Sequence, residues 1–346
     1  MKKLKLNFFV LLLASLFVFA SCDENENGPK GDFDNGVLVI NEGNFNSGDG
    51  TVSFFEPNSK TVTKDIFGLV NNELALGDVV QSMTVVGDEA FIVINNDNKV
   101  EVVNVNTFEA IHTINDVKLP RYFATASGKG YLTEWVSFSE SGRVSVVDLT
   151  TYEVTKTITT DRGAENLMLV GDKLFVSNNF TNTVSVINTT TDAVVKTIEV
   201  ASAPGEFVVD AQNKLWVVCS GRYQQNNGAL VQIDPSTETV VKTISLSRNV
   251  SPKLATDKSK NALYFYSGKS IYKLATTATA APAEPLLTEN NATGFYGLDI
   301  DQNTNVIYAG DAKGFAGDGV VFRYNIDGSL IDSFEAGRGP NGFVFN

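Results

Sequence analysis

The sequence predicts an all-β fold, a seven-bladed β-propeller that occupies residues 36–346. The dipeptide Thr-Ile recurs at Thr113, Thr157, Thr197 and Thr243, at intervals of 44, 40 and 46 residues. Between these points apolar and polar residues alternate with a period of two, which is typical of half-buried strands and not of helices. A repeat of roughly 40 to 45 residues that holds about four short strands is typical of a propeller blade.

The clearest unit covers residues 162–200 and shows how a blade is built. Its four predicted strands are Glu165–Val170, Lys173–Ser177, Thr183–Asn188 and Ala193–Val200. Gly-Asp separates the first two strands and Thr-Thr-Asp separates the last two. Because these residue types favour tight turns, we expect each junction to be a hairpin.

The same pattern fits five further units. They cover residues 78–116, 119–160, 203–246, 251–287 and 293–336. The unit at 251–287 is degenerate and rich in alanine and threonine. Together with the unit at 162–200, they predict six complete blades.

The two ends of the domain are predicted to form the seventh blade together. Residues 36–41, 50–55 and 61–67 are expected as its second, third and fourth strands, with no first strand before them. Residues 338–345 repeat the opening of the unit at 203–246, and then the chain stops. We therefore predict that this C-terminal strand pairs beside residues 36–41 and closes the ring, which removes exposed sheet edges.

The segment before the ring predicts a lipid-anchored protein. Residues 1–21 carry three lysines near the start and a 12-residue apolar stretch, too short for the roughly 20 residues that cross a bilayer. They are expected to be a signal peptide that is cleaved before Cys22, the residue that would carry the lipid. Residues 22–35 are polar and are expected to form a flexible tether. Their acidic stretch resembles the surface-export signal of Bacteroidetes lipoproteins; an ordinary solvated linker is the alternative.

Composition disfavours several classes of function. The net charge is −13, and loss of the three lysines in residues 1–21 would make it −16, so the surface would repel nucleic acid. The chain has one histidine, His112, and no Gly-x-Ser-x-Gly motif, which disfavours a serine hydrolase. Cys219 is expected to be a buried apolar residue rather than a nucleophile. We predict a protein that is not an enzyme and has no cofactor or metal. A glycosidase or lyase that uses carboxylate pairs across the ring is the weaker alternative.

One acidic segment has part of a calcium-binding pattern. Asp299, Asp301, Asn303 and Asn305 alternate as in a calcium loop, but the central glycine and terminal glutamate of that loop are missing. The segment is expected at the turn between the first two strands of a blade. Calcium binding there is left open as the weaker alternative to a plain turn.

A ligand site is predicted on one face of the ring. The loops between second and third strands and the connections between blades gather there around the axis. Aromatic residues in these loops lie beside amides and arginines, a combination that suits a large, flat, polar ligand such as a sugar or a corrin. The alternative is that some of the rings pack between blades. The candidate ligand-binding residues are Phe45, Tyr122, Trp135, Phe180, Arg222, Tyr223, Gln224, Tyr296, Phe315 and Arg338.

The blade sequence resembles the YVTN, or YncE-like, seven-bladed propellers. The resemblance covers residues 36–346 and rests on Gly-Asp-Lys-Leu-Phe-Val-Ser-Asn at 171–178, Asn-Thr-Val-Ser-Val-Ile-Asn at 182–188 and Val-Lys-Thr-Ile at 195–198. With the lipoprotein start, it is similar to surface propellers of gut Bacteroidetes that capture vitamin B12 and pass it to a TonB-dependent transporter. The resemblance implies a lipid-anchored protein on the cell surface, with cobalamin as ligand and the outer-membrane transporter as partner.

The residues leave other functions open. A corrinoid would bind its amide arms to asparagine and glutamine side chains and its phosphate to Arg222 or Arg338. Its cobalt would keep its own nucleotide base, because the chain has a single, poorly placed histidine. A surface glycan binder would use the same aromatic loops. An adhesion or scaffold propeller without a small ligand is the third possibility, and a propeller enzyme is the fourth.

Overall fold

The computed structural model describes residues 30–346, which form seven four-stranded antiparallel sheets around a central axis. The predicted seven-bladed β-propeller is confirmed. The predicted signal peptide and Cys22 lie outside the described residues. Within residues 30–346 no helix is long and apolar enough to span a bilayer.

Blade 1 combines the two ends of the described chain and has the strand order β28-β1-β2-β3. Its strands are β1 (Val37–Asn41), β2 (Thr51–Glu56), β3 (Thr61–Thr63) and β28 (Pro340–Phe345). Blade 2 contains β4 (Val80–Val86), β5 (Glu89–Ile94), β6 (Lys99–Asn104) and β7 (Ala110–Ile114). Blade 3 contains β8 (Pro120–Ala126), β9 (Lys129–Glu134), β10 (Arg143–Asp148) and β11 (Val154–Thr159).

The other four blades follow in chain order. Blade 4 contains β12 (Ala164–Val170), β13 (Lys173–Asn178), β14 (Thr183–Asn188) and β15 (Ala193–Glu199). Blade 5 contains β16 (Pro204–Val209), β17 (Leu215–Cys219), β18 (Ala229–Asp234) and β19 (Thr239–Ser245). Blade 6 contains β20 (Ala255–Thr256), β21 (Ala262–Ser267), β22 (Ser270–Ala275) and β23 (Leu287–Thr288). Blade 7 contains β24 (Phe295–Ile300), β25 (Ile307–Asp311), β26 (Val320–Tyr324) and β27 (Leu330–Glu335).

The ring closes as predicted, with β28 as the first strand of blade 1. It pairs antiparallel to β1, and Val39 lies opposite Phe343. Asn41 secures the junction: its side-chain oxygen accepts from the backbone N–H of Gly337 at 3.0 Å, and its Nδ2 donates to Ser53 Oγ at 2.9 Å. The closure therefore uses side-chain hydrogen bonds as well as the strand ladder.

The core consists of apolar layers between neighbouring blades. Phe91 of blade 2 stacks on Phe123 of blade 3 with ring centroids 4.4 Å apart, and Phe55 of blade 1 stacks on Phe334 of blade 7 at 3.9 Å. The isoleucine of each recurring Thr-Ile pair is buried in such a layer. The repeat that identified the blades therefore marks the core residue of each fourth strand.

Blade 1 departs from the predicted strands after Thr63. The expected fourth strand at 61–67 ends there, and a short helix, α1 (Ile66–Val70), follows. Asp65 caps the helix by accepting from the backbone N–H of Gly68 at 3.1 Å. Adjacent Ile66 and Phe67 are both buried against the ring. In blade 6, the degenerate unit, β20 and β23 are each only two residues long.

The described end of the predicted tether is packed against the ring. Phe33 is buried, with its ring edge-on to those of Phe54 and Phe108 at 5.5 and 6.0 Å. Its backbone N–H donates to the carbonyl of Asn106 at 2.9 Å, and its carbonyl accepts from Asn346 Nδ2 at 3.0 Å. The packed domain thus begins before residue 36. The tether was expected to be flexible through residue 35, but Phe33 is packed against the ring.

The two faces of the ring differ in the loops that they carry. The upper face holds the loops between second and third strands and the connections from each blade to the next. The lower face holds the other two hairpin turns of each blade. Asn106 and Asp88 belong to these lower turns, and Asp88 pairs with Lys30 at 2.9 Å. The chain before β1 therefore reaches the ring at its lower face.

Candidate functional site

A cavity of about 620 Å³ opens on the upper face at the axis. Its wall comes from loops and inner-strand ends of blades 1, 2, 3, 4, 6 and 7. The size is within the usual range for small-molecule sites, and the wall is mainly aromatic and amide in character. The lining includes Phe45, Gln81, Asn95, Tyr122, Trp135, Phe138, Asn249, Tyr266, Tyr296 and Asn341.

The structure brings several of the predicted ligand residues together in this cavity. Phe45, Tyr122, Trp135 and Tyr296 line it directly. Two more support them from behind. Phe180 packs on Trp135 with ring centroids 4.8 Å apart, and Phe315 lies edge-on to Tyr296 at 5.1 Å.

The other predicted residues lie outside the cavity wall. Arg222, Tyr223 and Gln224 belong to the loop between β17 and β18, and Tyr223 is 80% exposed. The backbone N–H of Arg222 donates to Asn226 Oδ1 at 2.8 Å, which keeps this loop folded on itself. Arg338 is paired with Asp49 at 2.7 Å. The expectation that Arg222 or Arg338 would bind a ligand phosphate is therefore not met in the cavity, because neither side chain lines it.

One side of the cavity is an aromatic wall fixed by a buried ion pair. Arg121 and Glu165 pair through two hydrogen bonds of 3.0 and 2.8 Å. The guanidinium carbon of Arg121 lies 3.9 Å from the ring centroid of Trp135, and Trp135 Nε1 donates to Glu165 at 2.7 Å. Phe138, 72% exposed, extends this wall to the mouth. The indole is held on both its face and its edge, so the wall is preorganised.

The floor of the cavity is a polar cluster across the axis. Lys253 Nζ contacts Glu206 Oε1 at 2.9 Å, and the hydroxyl of Tyr122 lies 3.4 Å from both. Burial lowers the pKa of Lys253, but the carboxylate of Glu206 outweighs it, and the pKa lies well above its ordinary value. Burial raises the pKa of Tyr122 to about 12. At neutral pH the floor is therefore a stable ion pair beside a neutral phenol. Below it lie two smaller cavities, of about 140 and 310 Å³.

The wall opposite the Trp135 side centres on Glu42. Its Oε2 accepts from the hydroxyl of Tyr296 at 2.7 Å and from Asn341 Nδ2 at 3.1 Å. Burial, followed by the charge of Glu42, raises the pKa of Tyr296 above its ordinary value. Tyr296 thus remains a hydrogen-bond donor at any physiological pH.

The structure also places the residues considered for chemistry. His112 is exposed on β7, where its ring stacks on Tyr152 at 5.0 Å. Cys219 is buried, and burial raises its pKa to about 12, so it is an unreactive core thiol. No group of three or more His, Cys, Asp or Glu residues that could hold a metal ion occurs in residues 30–346.

The calcium-like segment does not converge on one point. Asp301 closes its own turn by accepting from the N–H of Asn303 at 2.8 Å and from the hydroxyl of Thr304 at 2.5 Å. Asn305 Oδ1 accepts from the N–H of Lys258 at 3.0 Å, and Asp299 lines the space below the floor. The structure supports the plain turn at this position.

Sequence reasoning identified Tyr122 and Tyr296 but missed Gln81, Glu165 and Asn341, and all five lie at bulges in the innermost strands. At Gln81, Arg121, Glu165, Tyr296 and Asn341 the pairing with the second strand skips a residue or two. A bulged residue is unpaired and its side chain can be re-aimed, here toward the axis. Glu206 on the floor occupies the same kind of position. Alignment of the blades by their inner strands would have found this set.

Solved structures share the fold at low sequence identity. A quinonprotein alcohol dehydrogenase-like protein from Bacteroides thetaiotaomicron superposes with a TM-score of 0.71 at 13% identity, covering 90% of this chain and 78% of that one. The periplasmic gluconolactonase of Pseudomonas aeruginosa gives 0.68 at 12%, covering 90% and 98%. A functionally unknown protein from Desulfotomaculum acetoxidans gives 0.68 at 9%, also covering 90% and 98%. At these identities the likeness shows the fold alone.

Relatives by sequence define the family but no activity. Among curated proteins, none matches this sequence. A family model described as "Domain of unknown function (DUF5074)" matches residues 35–339, nearly the whole ring from before β1 to the turn before β28. The chain therefore belongs to the DUF5074 family.

Proposed function

We propose that this protein is a lipid-anchored binding propeller of the outer-membrane surface, which captures cobalamin or a related corrinoid and passes it to a TonB-dependent transporter. The observation that carries the proposal is the cavity of about 620 Å³ on the upper face, with its rigid aromatic wall and its amides. The location and the transporter come from the resemblance of the N-terminal segment and the blades to surface lipoproteins of Bacteroidetes.

The chemistry of the wall suits a corrinoid. Such a ligand is flat and bears many primary amides, and the wall offers Trp135 and Phe138 for flat surfaces. The side-chain oxygens of Gln81, Asn95 and Asn249 can accept from the ligand amides, whereas the nitrogens of Asn95 and Asn249 already donate to backbone carbonyls. A corrinoid is larger than the cavity, so part of it would lie across the mouth. Phe45 and Phe138, 64% and 72% exposed, stand at that mouth and would contact this part.

The same wall argues for binding rather than catalysis. The carboxylates of Glu165 and Glu206 are held in ion pairs with Arg121 and Lys253, at 2.8 and 2.9 Å. A general acid or base needs a pKa near the working pH and access to a proton on the substrate. Glu165 and Glu206 are held in this way and serve to shape the cavity. Glu42, the remaining carboxylate of the lining, has no ion pair within the described residues and accepts hydrogen bonds from Tyr296 and Asn341. A glycan binder is the second candidate, because sugars also bind to aromatic faces beside amides.

The proposal predicts that the protein carries cyanocobalamin through a gel-filtration column. The mature chain with Cys22→Ser, which prevents lipidation, is mixed with the vitamin and passed through the column. The visible absorbance of the corrin is then measured across the protein peak. Trp135→Ala should weaken binding at least tenfold, because it removes the fixed ring of the wall. Tyr223→Ala is the matched control: it removes an exposed aromatic from a loop outside the cavity and should leave binding unchanged.

A colourless protein peak would contradict the corrinoid proposal. Binding to a panel of neutral oligosaccharides, lost in Trp135→Ala, would then support the glycan function. Equal loss of vitamin binding in the Trp135 and Tyr223 variants would contradict the assignment of the site to the cavity.

A further inference from the structure

Glu42 differs from the other charged groups of the cavity. Four charged side chains line it, and three of them have a partner of opposite charge: Arg121 pairs with Glu165, and Lys253 pairs with Glu206. Glu42 forms no ion pair with any residue in the described range 30–346. Its negative charge is therefore the one that the cavity leaves uncompensated.

One carboxylate oxygen of Glu42 is left without a hydrogen-bond partner in the described part of the chain. Oε2 already accepts from Tyr296 and Asn341, whereas Oε1 has no hydrogen-bond partner among residues 30–346. Asn341 Nδ2 donates to Glu42 and to the carbonyls of Val80 and Gln81. These three acceptors fix the orientation of the amide. The oxygen of the same amide, Oδ1, is buried without a partner in the same range. The donors at this corner, the Tyr296 hydroxyl and Asn341 Nδ2, are therefore already used, and Glu42 Oε1 is the acceptor left for a ligand.

Such a corner discriminates between ligands by charge and by donors. An N–H group that reaches Glu42 gains a charge-assisted hydrogen bond, which is stronger than a neutral one. A carboxylate or sulfate meets a like charge in a partly desolvated space, where the repulsion is less screened than in water. No free cation of the lining is left to offset it, since Arg121 and Lys253 are both paired.

We propose that Glu42 is the specificity-determining residue of the cavity, which selects ligands that bring an amide N–H or an ammonium group and rejects anionic ones. The inference rests on the proposed role of the cavity as a ligand site, but not on the ligand being a corrinoid. Glucuronates, sulfated sugars and corrinoid carboxylic acids belong to the rejected class. Amides, amines and amino sugars belong to the accepted one.

The test uses three small probes that share one aromatic ring. Tryptamine carries an ammonium group, indole-3-acetamide a neutral amide and indole-3-acetate a carboxylate. Their dissociation constants for the Cys22→Ser mature chain are measured by ligand-observed NMR in 0.3 M salt, which screens the acidic surface. We expect tryptamine and the amide to bind at least tenfold more tightly than the acetate.

Glu42→Gln should remove most of this preference. Glutamine keeps an oxygen for the bonds from Tyr296 and Asn341, so the wall should keep its shape while it loses the charge. The three dissociation constants should then lie within about threefold of one another. Glu153→Gln, an exposed change of the same kind on the outer part of blade 3, should retain the wild-type ratio.

Several results would overturn the inference. It fails if the wild type binds the acetate as well as the amide, if it binds none of the probes, or if a folded Glu42→Gln variant keeps the wild-type ratio. If that variant does not fold, the comparison of amide and acetate in the wild type still decides. A Glu42-dependent preference together with no binding of cyanocobalamin would refute the corrinoid function and leave this inference standing.

Discussion

The carboxylate of Glu165 shows how much of the cavity depends on one side chain. It pairs with Arg121 and accepts from the indole N–H of Trp135 at 2.7 Å, and it is itself buried. The glutamate thus joins blade 3 to blade 4 at the axis and fixes the ring that a ligand would meet. Its position in sequence gave no hint of this, because Ala164-Glu165-Asn166 has no motif and only the bulge turns the side chain inward.

Asp299 predicts a pH dependence of stability. Its carboxyl lies below the floor of the cavity, where burial raises its pKa to about 7, while in the unfolded chain the pKa is about 4. Between these values the folded state keeps a proton that the unfolded state has lost, so stability falls as the pH rises through this range. Asp299→Asn should remove this part of the dependence.

The measurement is the free energy of unfolding in urea at pH 4.5, 6 and 7.5 for the wild type and the variant. Asp116→Asn, a change at an exposed aspartate, is the control and should parallel the wild type. If Asp299→Asn parallels the wild type as well, the carboxyl is ionised in the folded protein.

At the scale of single elements, β28 is the strand on which the ring depends. Deletion of residues 339–346 should expose the inner edge of β1 and uncover the apolar layer beneath Phe343, which is buried. We expect a large loss of thermal stability and a tendency to aggregate, measured by circular dichroism on heating and by gel filtration. Deletion of Asn346 alone is the comparison. It lies beyond the strand, so its loss removes hydrogen bonds to Phe33 and Gly36 but leaves the pairing of β28 with β1 intact, and it should cost far less stability. An unchanged melting temperature after the long deletion would show that the ring does not need its closure.

Elements with regular alternation could be predicted from the sequence, and irregular ones could not. The hairpins of blade 4 and the pairing of the C-terminus beside β1 follow from strand period and turn residues. Helix α1 was missed because it is only five residues long, too short to show a helical period. The loop of Tyr223 was predicted to bind ligand because it is polar and aromatic. It lies outside the cavity wall, and nothing in its residue types indicates this.

At the scale of the whole molecule, the place of the single histidine predicts how cobalt would be held. His112 is exposed on β7, a fourth strand at the outer edge of its blade, whereas the cavity lies on the axis. Cyanocobalamin bound in the cavity should therefore keep its own nucleotide base on the metal. The visible spectrum of the complex measures this directly. A base-off spectrum would show that the nucleotide base had left the cobalt and would contradict the binding mode proposed here.

The docking of Phe33 fixes where the chain before β1 joins the ring. The chain meets the ring on its lower face, and Lys30 lies only eight positions after Cys22, a distance of at most about 29 Å. A lipid on Cys22 would therefore hold the ring with its opening toward the medium and its back toward the bilayer. Such an orientation would favour collection of ligand from outside. Release of the contact between Phe33 and the rings of Phe54 and Phe108 would lengthen the segment that joins Cys22 to the ring, and would free the ring to change its orientation.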